Sequence, residues 1–424
     1  MAPLGLSVPT PQFPVVGNNI PIAVAFMLHI AVASYSLGAI AIAPVMEARA
    51  VRTGDPLARR YARSLANSYY LVFSLGATLA VFAVVFLIGL YGREFGDLVN
   101  VFLPLVGVIF GLFLLLTPLL VLYRNSFDSM PPRAHITLGF AVLALQALFV
   151  VGISALDTYL ITPNHAGFVD GARNAPYLPL VLHRIIASVS WTALFLAGFA
   201  AIRLARATDE KERVFQSWAA RVNIRIGLLA AVLMPIDGFA LVEVLKNVQP
   251  GFFGNLVDGQ AAYLFVIQQI LFAGVLLGGN IALALEMPRG ERLDTLGSGA
   301  IVVTAAGMVL GIMPAQVLGS DIFWLRYLGI GAATVATLVH VVIRTVPARA
   351  MPRLAAAPGA YAALPYTVSP RSRQALVSAG VLALVLALFM GYLKEEARGN
   401  YSLYGELTQQ QGQGPFNPNP SIYP

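Results

Sequence analysis

The side chains in this sequence that could do chemistry away from water are few, and each sits in an apolar run. His29 lies inside FMLHIAVASYSLGAIAIAPVMEARA (26–50), and His183 opens HRIIASVSWTALFLAGFAA (183–201), followed at once by Arg184. A buried imidazole of this kind has two readings. It is neutral and bonded to a Ser, a Tyr or a carbonyl, or it is an axial ligand to haem iron through one ring nitrogen, with an acceptor on the other. For His183, nearer the interface, the plainer reading is a snorkelling polar end, and Arg184 is a candidate partner for a haem propionate, whose carboxylate matches the guanidinium fork.

Asp237 sits near the middle of IGLLAAVLMPIDGFALVEVLK (226–246), with Glu243 a turn and a half further on. A lone acid at that position costs about 2.5–3.5 kcal/mol to insert. That cost favours a proton acceptor over a plain salt bridge to Arg184 or Lys246. Pro235 and Gly238 flank the acid and predict a local kink.

The other polar groups read more simply. His135 is expected to be solvated at the start of its helix, His340 to be interfacial or bonded, and His165 to lie in a soluble loop. Glu395, Glu396 and Arg398 are expected to be solvated or paired. Trp191, Trp218, Trp324, Tyr69, Tyr70 and Tyr91 suit aromatic belts at the membrane interfaces. No phosphate-cradling glycine loop, metal-ligand cluster or Ser/His/Asp arrangement stands out.

The elements that must position these groups follow from composition. Of 424 residues, 58% are hydrophobic and 11% charged, and the mean hydropathy is +0.76. Those values belong to an integral membrane protein. Apolar runs long enough to cross a hydrocarbon core of roughly 30 Å predict about ten helices, at 20–44, 67–91, 101–123, 135–156, 181–203, 225–246, 260–286, 298–317, 322–344 and 375–393. The chain has no cysteine, which excludes disulfides, thiolate metal sites, iron–sulfur clusters and covalently attached haem. The start, MAPLGLSVPTPQFPVVGNN, has no basic n-region and reads as a lead-in rather than a signal peptide.

Arg49, Arg52, Arg59, Arg60 and Arg63 follow helix 1, and Arg203, Arg206, Lys211, Arg213 and Arg221 follow helix 5. Arg344, Arg349, Arg353, Arg371 and Arg373 lie between helices 9 and 10, with Arg124, Arg133, Arg225, Arg289 and Arg292 on the same side. That side is cytoplasmic and both termini are external. The net charge of +7 is therefore a topological signal, helped by anionic membrane lipid, and requires no nucleic acid. The external loops are 157–179 and 246–260, and the polar tail 394–424 is expected to fold against the protein or a partner. No period of 20–50 residues supports a repeat.

His29, Gly38, Met46 and Glu47 stand at spacings that resemble the first helix of subunit I of the cytochrome bd quinol oxidases, where the histidine is a haem ligand. DTYLITP (157–163) is similar to the family's Asn-x-Trp-Met-Gln-x-Pro. His183 with Ala187, Ser188, Thr192 and Gly198 resembles the segment of its second haem-ligating histidine. KNVQPGF (246–252) resembles the start of its quinol loop, and GYLKEEARGNYSLYGE (391–406) its Gly-Trp-x-x-x-Glu-x-Gly-Arg-Gln-Pro-Trp segment.

The resemblance implies an all-α polytopic bundle with an external lead-in (1–19), a seven-helix haem-binding part (20–286), additional membrane helices (287–393) and an external tail (394–424). It further implies one or two b-type haems, quinone as the membrane electron carrier, other membrane or external redox subunits as partners, and a bacterial-type cytoplasmic membrane. Asp237 and Glu243 would then take protons, Asp237 also as acceptor for a quinol hydroxyl.

Three departures qualify the activity. The family's third helix carries glutamates, whereas 101–123 has no acid. The quinol loop is short here. No methionine stands opposite His183, where Gln268 or Gln269 in YLFVIQQILFAGVLLGGNIALALE (263–286) occupies the nearest polar positions. Gln is a poor iron ligand, so Met308, Met313 or His340 become alternatives. The expected function is electron transfer between membrane quinol and an external carrier or partner subunit, without oxygen reduction. The competing readings are a haem-free anchor of a larger respiratory complex, a functional bd-type oxidase subunit, and a transporter, which would need an inverted repeat that is not seen.

Overall fold

A computed structural model describes residues 12–164, 168–286, 295–319, 322, 324–345 and 368–416. His165, Arg289, Arg292, Arg349 and Arg353 lie outside the described residues. In chain order the elements are α1 (Asn19–Thr53), α2 (Pro56–Leu90), α3 (Gly92–Asn125), α4 (Pro132–Ile161), α5 (Phe168–Ala172), α6 (Tyr177–Arg206), α7 (Glu210–Ala231) and α8 (Met234–Val248). They continue as α9 (Pro250–Val257), α10 (Ala262–Ala284), α11 (Thr295–Ile312), α12 (Ala315–Leu318), α13 (Leu325–Thr345) and α14 (Pro370–Ala397), then β1 (Tyr401–Leu403), β2 (Leu407–Thr408) and α15 (Gln409–Gly412).

Ten helices among the described residues are long and apolar enough to span a membrane, with α7 and α8 forming one crossing. The expected all-α polytopic bundle is therefore what the chain forms. Several helices extend well past their apolar runs, because the arginine-rich turns at one end of the bundle remain helical. Gly54 ends α1 at φ 67°, a left-handed turn that glycine adopts without strain. Asp55 then caps α2, its Oδ1 accepting from the Leu57 and Ala58 amides at 3.0 and 3.3 Å. The added turns are tied together. Arg60 pairs with Glu212 and lies 3.9 Å above the Phe215 ring. The Arg63 guanidinium beside Asp128 holds that carboxyl below the usual range.

The kink expected at Pro235 is a break. α7 ends at Ala231, the Leu233 amide donates to the Ala230 carbonyl at 3.1 Å, and α8 restarts with Pro235 in its first turn. The external segment 246–260 holds α9, which begins at Pro250.

Around α1 pack α2, α4, α6 and α14, and α6 also meets α7 and α8. Two close crossings set this core. A methyl at Gly38 would overlap the Ser188 carbonyl and the Thr192 hydroxyl, so α1 meets α6 backbone to backbone. A Cβ at Gly380 would stand 2.9 Å from the Leu194 carbonyl and one at Gly198 3.0 Å from the Leu376 carbonyl, so α6 and α14 cross at a glycine pair.

The tail folds against the protein. β1 and β2 form an antiparallel hairpin, the Tyr404 amide donates to the Leu160 carbonyl at 2.9 Å, and the Gly92 amide donates to the Gly414 carbonyl at 3.0 Å. Asn19 Nδ2 donates to Gln409 Oε1 at 2.7 Å and Asn18 Nδ2 to Gln413 Oε1 at 3.2 Å. The first and last described segments thus share the outer face. Tyr404 also lies edge-on to Phe252 of α9 at 5.9 Å, and burial pushes its phenol above the usual value.

Several belt residues are inside instead. Trp191 is buried and donates to Ser34 Oγ at 3.0 Å. Trp218 is 2% exposed against Tyr61, Tyr69 donates to Gln146 at 2.8 Å, and Tyr91 is buried and bonded to Asn19. The polar tips of Trp191, Tyr69 and Tyr91 find partners on neighbouring helices, which removes their need for the interface. Trp324, at 55% exposure, faces outward.

Candidate functional site

His29 lies ten residues into α1 and His183 six residues into α6, roughly 15 and 9 Å from the outer helix ends at 1.5 Å per residue. The Gly38–Ser188 crossing brings the two helices together on the cytoplasmic side of both imidazoles, leaving them in the outer half of the bundle.

Each ring is held through Nδ1. His29 Nδ1 donates to the Gly76 carbonyl on α2 at 3.0 Å, and His183 Nδ1 donates to Asp237 Oδ2 on α8 at 3.0 Å. Neither Nε2 has a hydrogen bond among the described residues. A donated Nδ1–H fixes the tautomer that leaves Nε2 as the basic nitrogen, which is the arrangement a metal-ligating histidine needs. Among the described residues no three His, Asp or Glu converge as a metal cluster. Each histidine is therefore a single protein donor, a donor set that suits haem iron because the macrocycle supplies the equatorial ligands.

The remaining expected residues separate. Asp237 pairs with His183, not with Arg184 or Lys246, because the break before α8 turns it towards α6. Glu243 faces away, with Lys246 at 3.9 Å. Arg184 pairs with Asp157 and donates to Ser154 Oγ at 3.2 Å, while Lys394 Nζ reaches the other Asp157 oxygen at 2.9 Å. Two cations therefore share one carboxylate, and one of them, Arg184, is the residue after His183. Gln269 Nε2 donates to Gln268 Oε1 at 2.8 Å.

His340 is fully buried with its Nδ1 2.9 Å from Asn280 Oδ1, in a network that includes Thr304 and Thr337. It stands fifteen residues into α13, roughly 22 Å from the outer end, which places it in the opposite half of the membrane from His183. Met308 is buried in α11.

Three arrangements were not legible beforehand. Asp157 and Lys394 both fall in segments singled out by resemblance, yet their pairing spans 237 residues. His135, expected at the interface, is 1% exposed, with Nδ1 2.6 Å from Glu47 Oε1, Nε2 2.8 Å from the Tyr123 carbonyl and its ring stacked on Tyr123. α3 also begins earlier than its apolar run and carries Glu94 and Asp97, both buried, in its first two turns. From Leu98 to Asn125 it has no acid.

Residues 19–253, more than half of the chain, match the family model described as Cytochrome bd terminal oxidase subunit I. The chain belongs to that family. The matched span holds His29, His183, Arg184, Asp237 and Glu243, while Gln268 and Gln269 lie beyond it. Membership makes this bd-type subunit a multi-pass membrane protein of respiratory electron transport, haem-binding and related to the quinol oxidases. The fold is similar to that of a chain in the structure of bd oxidase from Geobacillus thermodenitrificans. The TM-score is 0.54 and the identity 14%, over 90% of this chain and 97% of that one. No curated protein matches the sequence.

Proposed function

We propose that this bd-family subunit binds b-type haem at His29 and His183 near the outer face. It passes electrons between membrane quinol and an external carrier or partner subunit, without reducing oxygen. The observation that carries the reading is the matched pair of imidazoles, each donating from Nδ1 and each presenting Nε2 in the outer half of the bundle. The bound haem would supply one-electron chemistry.

The chain's own residues do the rest. The Gly76 carbonyl and the Asp237 carboxylate orient the two rings. Arg184 and Lys394, sharing Asp157, place a net positive charge beside His183 that suits an acidic haem edge. Asp237 is a positioning residue, since its oxygen is engaged by the imidazole. Glu243, near the outer end of α8, is the proton acceptor on the quinol side. The lack of acid beyond the second turn of α3 argues against oxygen reduction, which must deliver protons to a buried site. Residues 20–286 form the haem-binding part and 287–393 the added membrane helices. The complex works in a bacterial-type cytoplasmic membrane with further subunits.

A reduced-minus-oxidised spectrum of the purified protein tests the reading. A b-type signal is expected, reduced in His29→Ala and in His183→Ala, together with no quinol-dependent oxygen uptake. A folded, colourless preparation overturns it in favour of a haem-free anchor, and steady oxygen uptake overturns the electron-transfer role.

A further inference from the structure

At the arginine-rich end of the bundle, beyond the Gly198–Gly380 crossing, α6 and α14 line an open groove of about 450 Å³. Ala201, Ala205, Ile202 and Val377 give it an apolar wall, and Arg206 and Arg373 stand at its mouth. Arg206 is the last residue of α6 and Arg373 the fourth of α14, which puts both guanidinium groups at the level of the inner headgroups.

We propose that this groove binds the headgroup and upper acyl chain of an anionic phospholipid. Charge singles out the place. Six other arginines of this end are already engaged: Arg203 and Arg60 by Glu212, Arg59 and Arg63 by Asp128, and Arg221 and Arg225 by Glu286. Among the described residues Arg206 and Arg373 have no acidic partner, and no acid lines the groove. Two planar guanidinium forks match the oxygens of a phosphodiester, and Gln374 and Ser378 add donors at the same rim. The alanine wall, left open by the close glycine crossing above it, accepts a hydrocarbon chain but offers nothing to a soluble anion. Basic pockets between membrane helices on the cytoplasmic side bind acidic lipid headgroups by this combination.

Native mass spectrometry of the full chain in detergent tests the site, with phosphatidylglycerol and phosphatidylcholine added separately. Phosphatidylglycerol is expected to stay bound through delipidation and phosphatidylcholine to be lost. Arg206→Ala with Arg373→Ala should weaken phosphatidylglycerol retention about thirtyfold, and Arg203→Ala should leave it unchanged. The charge-keeping pair Arg206→Lys and Arg373→Lys should fall between, which covers a double alanine variant that folds poorly. Equal retention of phosphatidylcholine, undiminished retention in the double variant, or displacement by excess inorganic phosphate would each overturn the proposal.

Discussion

Replacing Asp237 with Asn keeps the size and an acceptor oxygen at the His183 ring but removes the charge. The bond it changes is the 3.0 Å contact from Nδ1 to Oδ2. A hydrogen bond to a charged group contributes about 1.5–3 kcal/mol and a neutral one about 0.5–1.5, so the substitution forfeits about 1 kcal/mol. With haem bound at His183 as proposed, the carboxylate would make the imidazole a stronger donor and favour the ferric state, whereas His29 leans on a neutral peptide carbonyl. The two sites should therefore differ in potential, with the His183 site lower. Asp237→Asn should raise that lower midpoint by roughly 40 mV, since a tenfold change in a one-electron equilibrium is about 59 mV, and leave the other unmoved. The same loss of about 1 kcal/mol should weaken haem retention about fivefold, since 1.4 kcal/mol is a tenfold change. A potentiometric titration followed at the b-type band, with haem content per polypeptide measured before and after dilution in detergent, reads both effects. Unchanged midpoints and retention in Asp237→Asn, alongside loss of haem in His183→Ala, would refute the orienting role while sparing the ligand assignment.

Three further outcomes follow from the packing. Glu286→Gln removes the buried carboxylate that Arg221 and Arg225 share and should destabilise the bundle by about 3–5 kcal/mol, read as a lower unfolding temperature in detergent. Gly38→Ala forces a methyl into the Ser188 carbonyl and should cost about 1–3 kcal/mol, with haem loss at lower temperature than in the parent protein. His340→Ala strips the partner from the Asn280 oxygen, so thermal stability should drop by about 1–3 kcal/mol while the reduced-minus-oxidised spectrum keeps its shape and amplitude.

The ten crossings were legible because a run of about twenty apolar residues has few other uses. Their ends were not, since Arg59, Arg60 and Arg63 read as a loop when seen alone and become helix once Asp128 and Glu212 are beside them. The same limit applies at the candidate site. An imidazole in an apolar run announces itself, which is how His29 and His183 were found. What holds it does not: Gly76 contributes only a backbone oxygen, and Asp237 reaches His183 across 54 residues through a helix break whose direction no local pattern encodes. Trp191 and His135 were misplaced for a related reason. A polar tip that finds a partner on another helix loses its preference for the interface, and that partner is a tertiary fact.

The knot of amide side chains joining Asn18 and Asn19 to Gln413 and Gln409 has a bearing on how the protein is made. One half of each pair precedes the first crossing and the other follows the tenth, so neither bond can close while the chain is still being threaded into the bilayer. The outer face is consequently the last surface to be finished. A chain halted before α14 leaves Glu94 and the Leu160 carbonyl without their cover.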